Sequence, residues 1–188
     1  MNNDKISELY KKIDKIDDIE LKKLVNNLIE ELKTDELTSI YNRRVLNNDI
    51  KYDVIAICDI DNFKSINDMY GHDVGDKILQ LIADRLKDLI RKSDIVCRYG
   101  GDEFVIIFKN CDTIDVISRI NEIKNNLLVQ DVIPPITMSF GITEYEKNKT
   151  LSQAINEADI ALYNSKRKGK NKLSCYNNLI NKVLKKDL

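Results

Sequence analysis

The segment from Asp76 to about Arg91 carries the clearest helical period in the chain. Leu79, Ile82, Ala83, Leu86, Leu89 and Ile90 recur on one face there. A different pattern precedes it: Tyr52-Asp53-Val54-Ile55-Ala56-Ile57-Cys58-Asp59 is a continuous apolar run of strand length that ends in acid. Between the two, Phe63 to about Tyr70 predicts another helix, and Gly71-His72-Asp73-Val74-Gly75 predicts an interruption before the next one. Downstream, Ile95 to Tyr99 and Glu103 to Phe108 predict the strands of a hairpin around a glycine turn. Ile114 to Leu128 reads as a helix, and Ile136 to Tyr145 as a strand led in by Pro134 and Pro135. Leu151, Ala154, Ile155, Ala158, Ala161 and Leu162 mark a last long helix. Lys172 to Tyr176 closes the pattern as a strand, and a lysine-rich helical tail follows.

Ahead of this block, residues 1 to about 34 are helical and amphipathic in pattern. Ile6, Leu9, Ile13 and Ile16 form one seam, and Leu21, Leu24 and Leu28 restart it after a break in register. Asp17 or Asp18 is placed to cap the second helix. Two readings fit: a helical hairpin packed on its own domain, or a lead segment that dimerises. Leu37 to about Ile50 is a further amphipathic stretch.

The resulting order, β-α-α-β-β-α-β-α-β, predicts an α+β fold of ferredoxin-like palm type. Its central sheet is mainly antiparallel and flanked by helices, expected on one face, with an N-terminal helical extension. The expected organisation is a helical lead over residues 1–34, a catalytic domain over 35–176 and a basic tail over 177–188.

Composition narrows the function. The chain has 188 residues, enough for one ordinary domain with a modest extension. A net charge of -1 supplies no basic field, so nucleic acid is not an expected partner. No apolar run approaches a membrane span, and Met1-Asn2-Asn3-Asp4-Lys5 has no signal-like core. Cys58, Cys97, Cys111 and Cys175 show no Cys-x-x-Cys spacing, and His72 is the only histidine, which argues against zinc. Reduced thiols and a cytoplasmic location are expected, and no sensor or receiver domain is recognisable before residue 35.

The candidate chemistry lies in two acidic clusters. Gly100-Gly101-Asp102-Glu103-Phe104 puts two carboxylates on a tight, backbone-rich turn, and Asp59-Ile60-Asp61 ends the apolar run upstream. In a palm-type sheet these two places adjoin. Hard divalent cations take oxygen ligands, commonly one or two carboxylates plus substrate phosphate, so Mg²⁺ or Mn²⁺ is the expected cofactor. Either acid cluster alone reads equally as a polar strand end. Asn62-Phe63-Lys64 opens a helix whose free N–H groups favour phosphate. Asn67 and Asp76 offer an amide and a carboxylate of the kind that match guanine, though both are also ordinary turn and cap residues. Lys166 and Lys170 follow the last helix and suit either terminal phosphates or a solvated basic helix end.

Arg98-Tyr99-Gly100-Gly101-Asp102-Glu103-Phe104 resembles the signature of the GGDEF family of diguanylate cyclases. Four further stretches resemble that family in the same order. They are Asp35-Glu36-Leu37-Thr38-Ser39-Ile40-Tyr41-Asn42-Arg43-Arg44, Asp59 to Asp68 followed by Gly71 to Asp76, Ser139-Phe140-Gly141-Ile142, and Ala158 to Tyr163 with Lys166 to Asn171. Ser39 stands where glycine is usual, and Lys170 where arginine is.

The resemblance implies condensation of two GTP into cyclic di-GMP with release of two pyrophosphates. It implies a homodimer in which each subunit holds one GTP and each 3′-hydroxyl attacks the opposite α-phosphate. By position, Asp59 and Asp102 would ligate metal with the Ile60 carbonyl assisting, and Glu103 would support the turn or act near the nucleophile. Asn67 and Asp76 would read guanine; Lys166 and Lys170 would hold the terminal phosphates. Asn62 and Phe63 would help bind the nucleotide, and Lys64 would join the catalytic groups near the phosphates. Arg91 and Asp94 resemble the family's inhibitory product site, although a helix-end Arg and a turn Asp are commonplace. The alternative is a degenerate domain that binds GTP or cyclic di-GMP without turnover. A cyclase with another base preference sits poorly with Asp76, and a pure scaffold leaves the acids unexplained.

Overall fold

The computed structural model describes residues 8, 12–47, 50–127, 135–146 and 149–176. The early seam residues Ile6 and Leu9, Pro134 and the basic tail lie outside the described residues.

Six strands form one sheet in the order β1-β3-β4-β2-β5-β6. They are β1 (Tyr41–Asn42), β2 (Val54–Ile60), β3 (Ile95–Arg98), β4 (Glu103–Phe108), β5 (Met138–Glu144) and β6 (Leu173–Cys175). The four central strands pair antiparallel, and the short edge strands β1 and β6 join parallel. The helices are α1 (Ile19–Lys33), α2 (Phe63–Tyr70), α3 (His72–Leu89), α4 (Thr113–Leu127) and α5 (Leu151–Arg167). The α+β palm architecture with a mainly antiparallel sheet is therefore as expected.

The expectation of helices on one face is corrected. All seven residues of β2 are buried. Val54, Ala56, Cys58 and Ile60 meet α2, α3 and α4 in one core cluster. Ile55 and Ile57 point the other way, where Leu151, Ala154, Ile155, Ala158 and Leu162 of α5 cover them. A strand with both faces buried reads as an unbroken apolar run, which is how β2 appears in the sequence. Sealing the second face contributes roughly 1.5–3 kcal/mol for each isoleucine it removes from water. A capping box between Thr150 and Gln153 starts α5 at the right place for this.

Two further boundaries differ. The interruption expected over Gly71 to Gly75 shrinks to Gly71 alone, whose φ of 87° makes the whole corner. Helix α3 then runs straight through Gly75. The stretch from Leu37 to Ile50 forms a turn, β1 and one 3₁₀ turn (Arg43–Val45), with no α-helix among its described residues. Ser39 in this turn has φ 57°, a left-handed conformation that a side chain resists. Ser39→Gly is expected to stabilise the fold by about 0.5 kcal/mol. It relieves roughly 1 kcal/mol of backbone strain, and the glycine's greater unfolded-state freedom offsets part of that. The urea midpoint checks this.

At the N-terminal end, Asp18 caps α1 by accepting from the Glu20 and Leu21 amides. Ile13 and Ile16 pack against Val25 and Ile29 of α1, as in the hairpin reading. The second seam, Leu21, Leu24 and Leu28, remains 46–57% exposed. The far end of α1 is fastened to the domain: Asn42 Nδ2 donates to the Leu32 and Thr34 carbonyls, and Arg44 Nη1 donates to Leu32 O. Among the described residues all four cysteines are free, and no helix is long and apolar enough to cross a membrane.

Candidate active site

Antiparallel pairing of β2 with β4 sets Asp59 directly opposite Glu103. Beyond that pair, the Ile60 amide donates to the Asp102 carbonyl at 3.3 Å. The two acidic clusters therefore meet where β2 ends and the β3–β4 hairpin turns. Lys166, in the last turn of α5, reaches the same place and holds Nζ 2.7 Å from Asp59 Oδ2.

Asp59 is only 7% exposed. Burial is the main force pushing its carboxyl up to about 6; the Lys166 ammonium opposes the shift, and Asp102 and Glu103 add to it. Glu103 is also raised, first by burial and then by Asp102 and Asp159, again against Lys166. The site holds more negative charge than one lysine balances.

The hairpin turn is clamped from outside. The Tyr99 and Gly100 amides both donate to the Glu103 carbonyl, at 2.8 and 3.2 Å. Arg98 donates to the Gly101 carbonyl from Nε (3.1 Å) and Nη2 (2.8 Å), and its Nη1 lies 3.2 Å from Asp35 Oδ1. Asp35 Oδ1 also accepts from Thr38 N at 3.0 Å and Thr38 Oγ1 at 2.7 Å. Burial pushes the Asp35 carboxyl up, but these bonds and the Arg98 charge outweigh it and hold the group below its ordinary value. Neither turn glycine needs a left-handed backbone. A Cβ at Gly100 would lie 2.6 Å from a Glu103 carboxylate oxygen, whereas the space above Gly101 is open.

The remaining predicted residues fall into two groups. Asn62, with φ 61°, precedes α2 without capping it, and its side-chain oxygen accepts from Lys170 Nζ. Lys64 is exposed on α2 and Asp76 on α3. The Asn67 Oδ1 atom is buried without a hydrogen-bond partner and lies where a Cβ at Gly75 would be, which brings Asn67 beside the residue preceding Asp76. Phe63 is 9% exposed and belongs to the core under α2 and α3, directly after Asn62.

Arg91 and Asp94 differ in burial. Arg91 is exposed. The Asp94 side chain is fully buried; it accepts from the Arg91 amide at 3.1 Å and the Lys109 amide at 3.2 Å, and pairs with Arg119. That carboxylate holds the turn through two backbone amides and the Arg119 guanidinium. Arg119 escaped the sequence reading because it sits mid-helix; its guanidinium also lies 4.9 Å from the Phe108 ring centre. Arg98 opens the Arg98–Phe104 signature, but its grip on Asp35 is visible only in the fold.

The donor set fits a hard divalent cation. It consists of carboxylate oxygens, and neighbouring acids add to the burial that raises the Asp59 and Glu103 carboxyls. Among the described residues no three acid, histidine or cysteine side chains converge to hold an ion by themselves. An ion here would depend on one or two carboxylates and on phosphate oxygens, which is the habit of Mg²⁺ rather than of a structural metal.

A palm sheet with paired acids at a glycine hairpin and Lys166 upon them is an arrangement shared by a known class of domain. The family described as "Diguanylate cyclase, GGDEF domain" matches residues 32–172. The chain belongs to this GGDEF family. It is 40% identical over 157 residues to the uncharacterised protein YtrP of Bacillus subtilis, a match covering 79% of this chain and 27% of YtrP. It is 34% identical over 155 residues to the probable diguanylate cyclase DgcC of Escherichia coli, covering 73% of this chain and 42% of DgcC. The chain thus spans less than half the length of either relative. The GGDEF domain of DgcB from Caulobacter crescentus, solved with c-di-GMP, superposes with TM-score 0.72 at 28% identity, covering 77% of this chain and 95% of that one. Diguanylate cyclase SiaD from Pseudomonas aeruginosa, solved with its activator SiaC, gives TM-score 0.74 at 29% identity, covering 91% and 69%.

Proposed function

We propose that this chain condenses two GTP into cyclic di-GMP and two pyrophosphates, working as a homodimer. The observation that carries the reading is the meeting of Asp59, Asp102 and Glu103 at one sheet end with Lys166 upon them. The c-di-GMP bound to the DgcB domain supports the product class. Each subunit would hold one nucleotide, so the two α-phosphates and 3′-hydroxyls meet only across a pair. The exposed Leu21, Leu24 and Leu28 of α1 supply a surface for that pairing.

Asp59 and Asp102 would hold Mg²⁺ or Mn²⁺, with the Ile60 carbonyl assisting. When bound, the ion supplies charge stabilisation to the phosphoryl oxygens in flight. The chain's own residues do the rest. Asn67 and Asp76 orient guanine at the α2–α3 corner. Lys166 and Lys170 neutralise the terminal phosphates as pyrophosphate leaves, and Lys64 adds charge at the start of α2. Glu103, held over Gly100, braces the turn and lies ready to take the proton of the attacking hydroxyl.

The direct test is to incubate purified protein with GTP and Mg²⁺, identify the product by mass and follow pyrophosphate. Cyclic di-GMP supports the reading; tight nucleotide binding without product would make the chain a receptor. Metal binding also carries a pH signature. Because the Asp59 carboxyl titrates at about 6, it is ionised at neutral pH and gains a proton as pH falls through that value. Mn²⁺ affinity, read by electron paramagnetic resonance, is expected to hold above that point and drop about tenfold per pH unit below it.

For regulation, we assign Arg91 as the residue that meets product and Asp94 as the post that fixes its turn. Arg91→Ala is expected to raise the inhibition constant for cyclic di-GMP about tenfold or more, as loss of a forked contact to guanine implies. An unchanged constant would remove Arg91 from the site.

A further inference from the structure

Asp61 stands two residues beyond Asp59 and belongs to the same acidic cluster in the sequence, yet its carboxylate has other partners. It is 5% exposed. Oδ1 accepts from Ser139 Oγ at 2.7 Å, and Oδ2 accepts from Thr137 Oγ1 at 2.7 Å and from the Asn171 amide at 2.9 Å. Its own amide donates to the Thr137 carbonyl at 2.9 Å. One carboxylate thereby ties together the end of β2, the start of β5 and the turn that joins α5 to β6.

That turn is an unusual piece of backbone. Gly169, Lys170 and Asn171 have φ values of 107°, 60° and 47°, so two successive residues with side chains adopt the left-handed conformation. Such a run persists only where its surroundings fix it. Asn171 is fixed by Asp61, and Lys170 reaches across to Asn62. Lys166, one turn earlier on α5, is the residue paired with Asp59. Both cations assigned to the terminal phosphates therefore sit on or beside a turn pinned by a buried acid.

We propose that Asp61 is a positioning residue for the triphosphate. It sets the α5–β6 turn so that the Lys170 and Lys166 ammonium groups meet the β- and γ-phosphates, and it touches neither metal nor nucleotide itself. This rests on the assignment of those lysines in the proposed function. A buried carboxylate bonded to three donors is a rigid anchor, and small displacements of phosphate-holding groups carry large penalties. Asp61→Asn exchanges one acceptor oxygen for an amide donor, so at least one of the three donors meets another donor and the tether loosens.

The test uses the full chain and three probes by calorimetry: Mn²⁺ alone, GMP, and a GTP analogue with a methylene bridge between the α- and β-phosphates, each nucleotide with Mn²⁺ present. Asp61→Asn is expected to weaken the analogue about tenfold while Mn²⁺ and GMP stay within about twofold, since neither reaches the turn. Thr137→Val and Ser139→Ala each remove one hydroxyl donor with little change in shape. They are expected to show the same selective loss at smaller size, which keeps the idea testable should Asp61→Asn fold poorly. Parallel weakening of GMP and analogue, or no weakening of either, overturns the proposal. Lys170→Ala and Lys166→Ala separate the two layers of argument. If the lysine variants lose the analogue and the Asp61, Thr137 and Ser139 variants do not, the positioning role fails alone. If the lysine variants bind it normally, the phosphate assignment fails and takes this inference with it.

Discussion

Asp59→Asn is expected to cut cyclic di-GMP formation by at least about a hundredfold, the loss that follows when a principal source of transition-state charge stabilisation goes. The folded chain should meanwhile keep or gain stability. The sign follows from the carboxyl's position. Its value of about 6 in the folded chain lies above the ordinary 3.8, so folding favours the protonated form. That preference contributes stability below about pH 3.8 and is lost as pH rises through about 6. At neutral pH the ionised group burdens the metal-free fold, and asparagine removes the burden. Lys166 loses its partner in the variant, but its side chain is already 34% exposed and can rehydrate. Pyrophosphate release and urea midpoints at neutral and acidic pH measure both halves. The stability difference should shrink on acidification, and near-normal turnover would exclude Asp59 as a metal ligand.

Gly141→Ala carries the largest expected structural penalty. In β5, Gly141 lies against the backbone of α5, and an added Cβ would stand 2.1 Å from both the Ala158 carbonyl oxygen and the Leu162 amide nitrogen. These are main-chain atoms inside a helix, so neither can swing aside. Relief requires α5 to move off the sheet, which opens the cluster around Ile55 and Ile57 and shifts Lys166 away from Asp59. The variant should lose roughly 3 kcal/mol in urea unfolding, the upper end of ordinary overpacking costs. Its nucleotide affinity should fall along with its stability. A loss below about 1 kcal/mol would mean that the helix yields at little cost.

The sheet was legible in the sequence because its strands are short apolar runs with acid or glycine at their ends. Helix α2 matched its expected span from Phe63 to Tyr70, since Asn62 and Gly71 mark both limits. Gly75 hides the true start of α3 from the sequence: glycine ordinarily signals a break, and here it serves as the flat surface against which Asn67 lies. The second layer of helix was foreshadowed by the uninterrupted apolar character of β2, which a one-sided sheet would not need. In the site, the approach of Asp59 to Asp102 and Glu103 was foreseeable from strand order. The work of Asp61, Arg98 and Arg119 was not. Each has a partner at least 25 residues distant in the chain, Arg119 with Asp94, Arg98 with Asp35 and Asp61 with Asn171, and no local spacing announces such pairs.

The grip of Arg98 has a mechanical consequence. Helix α1 has 15 residues, a rod about 22 Å long, and its final carbonyls are bolted to Asn42 and Arg44. Asp35 follows immediately after its C-cap, and the same guanidinium holds Asp35 and the Gly101 carbonyl. The rod and the reactive corner therefore share one hinge pin, and a twist delivered to the leucine-bearing end is expected to change the aim of the carboxylates.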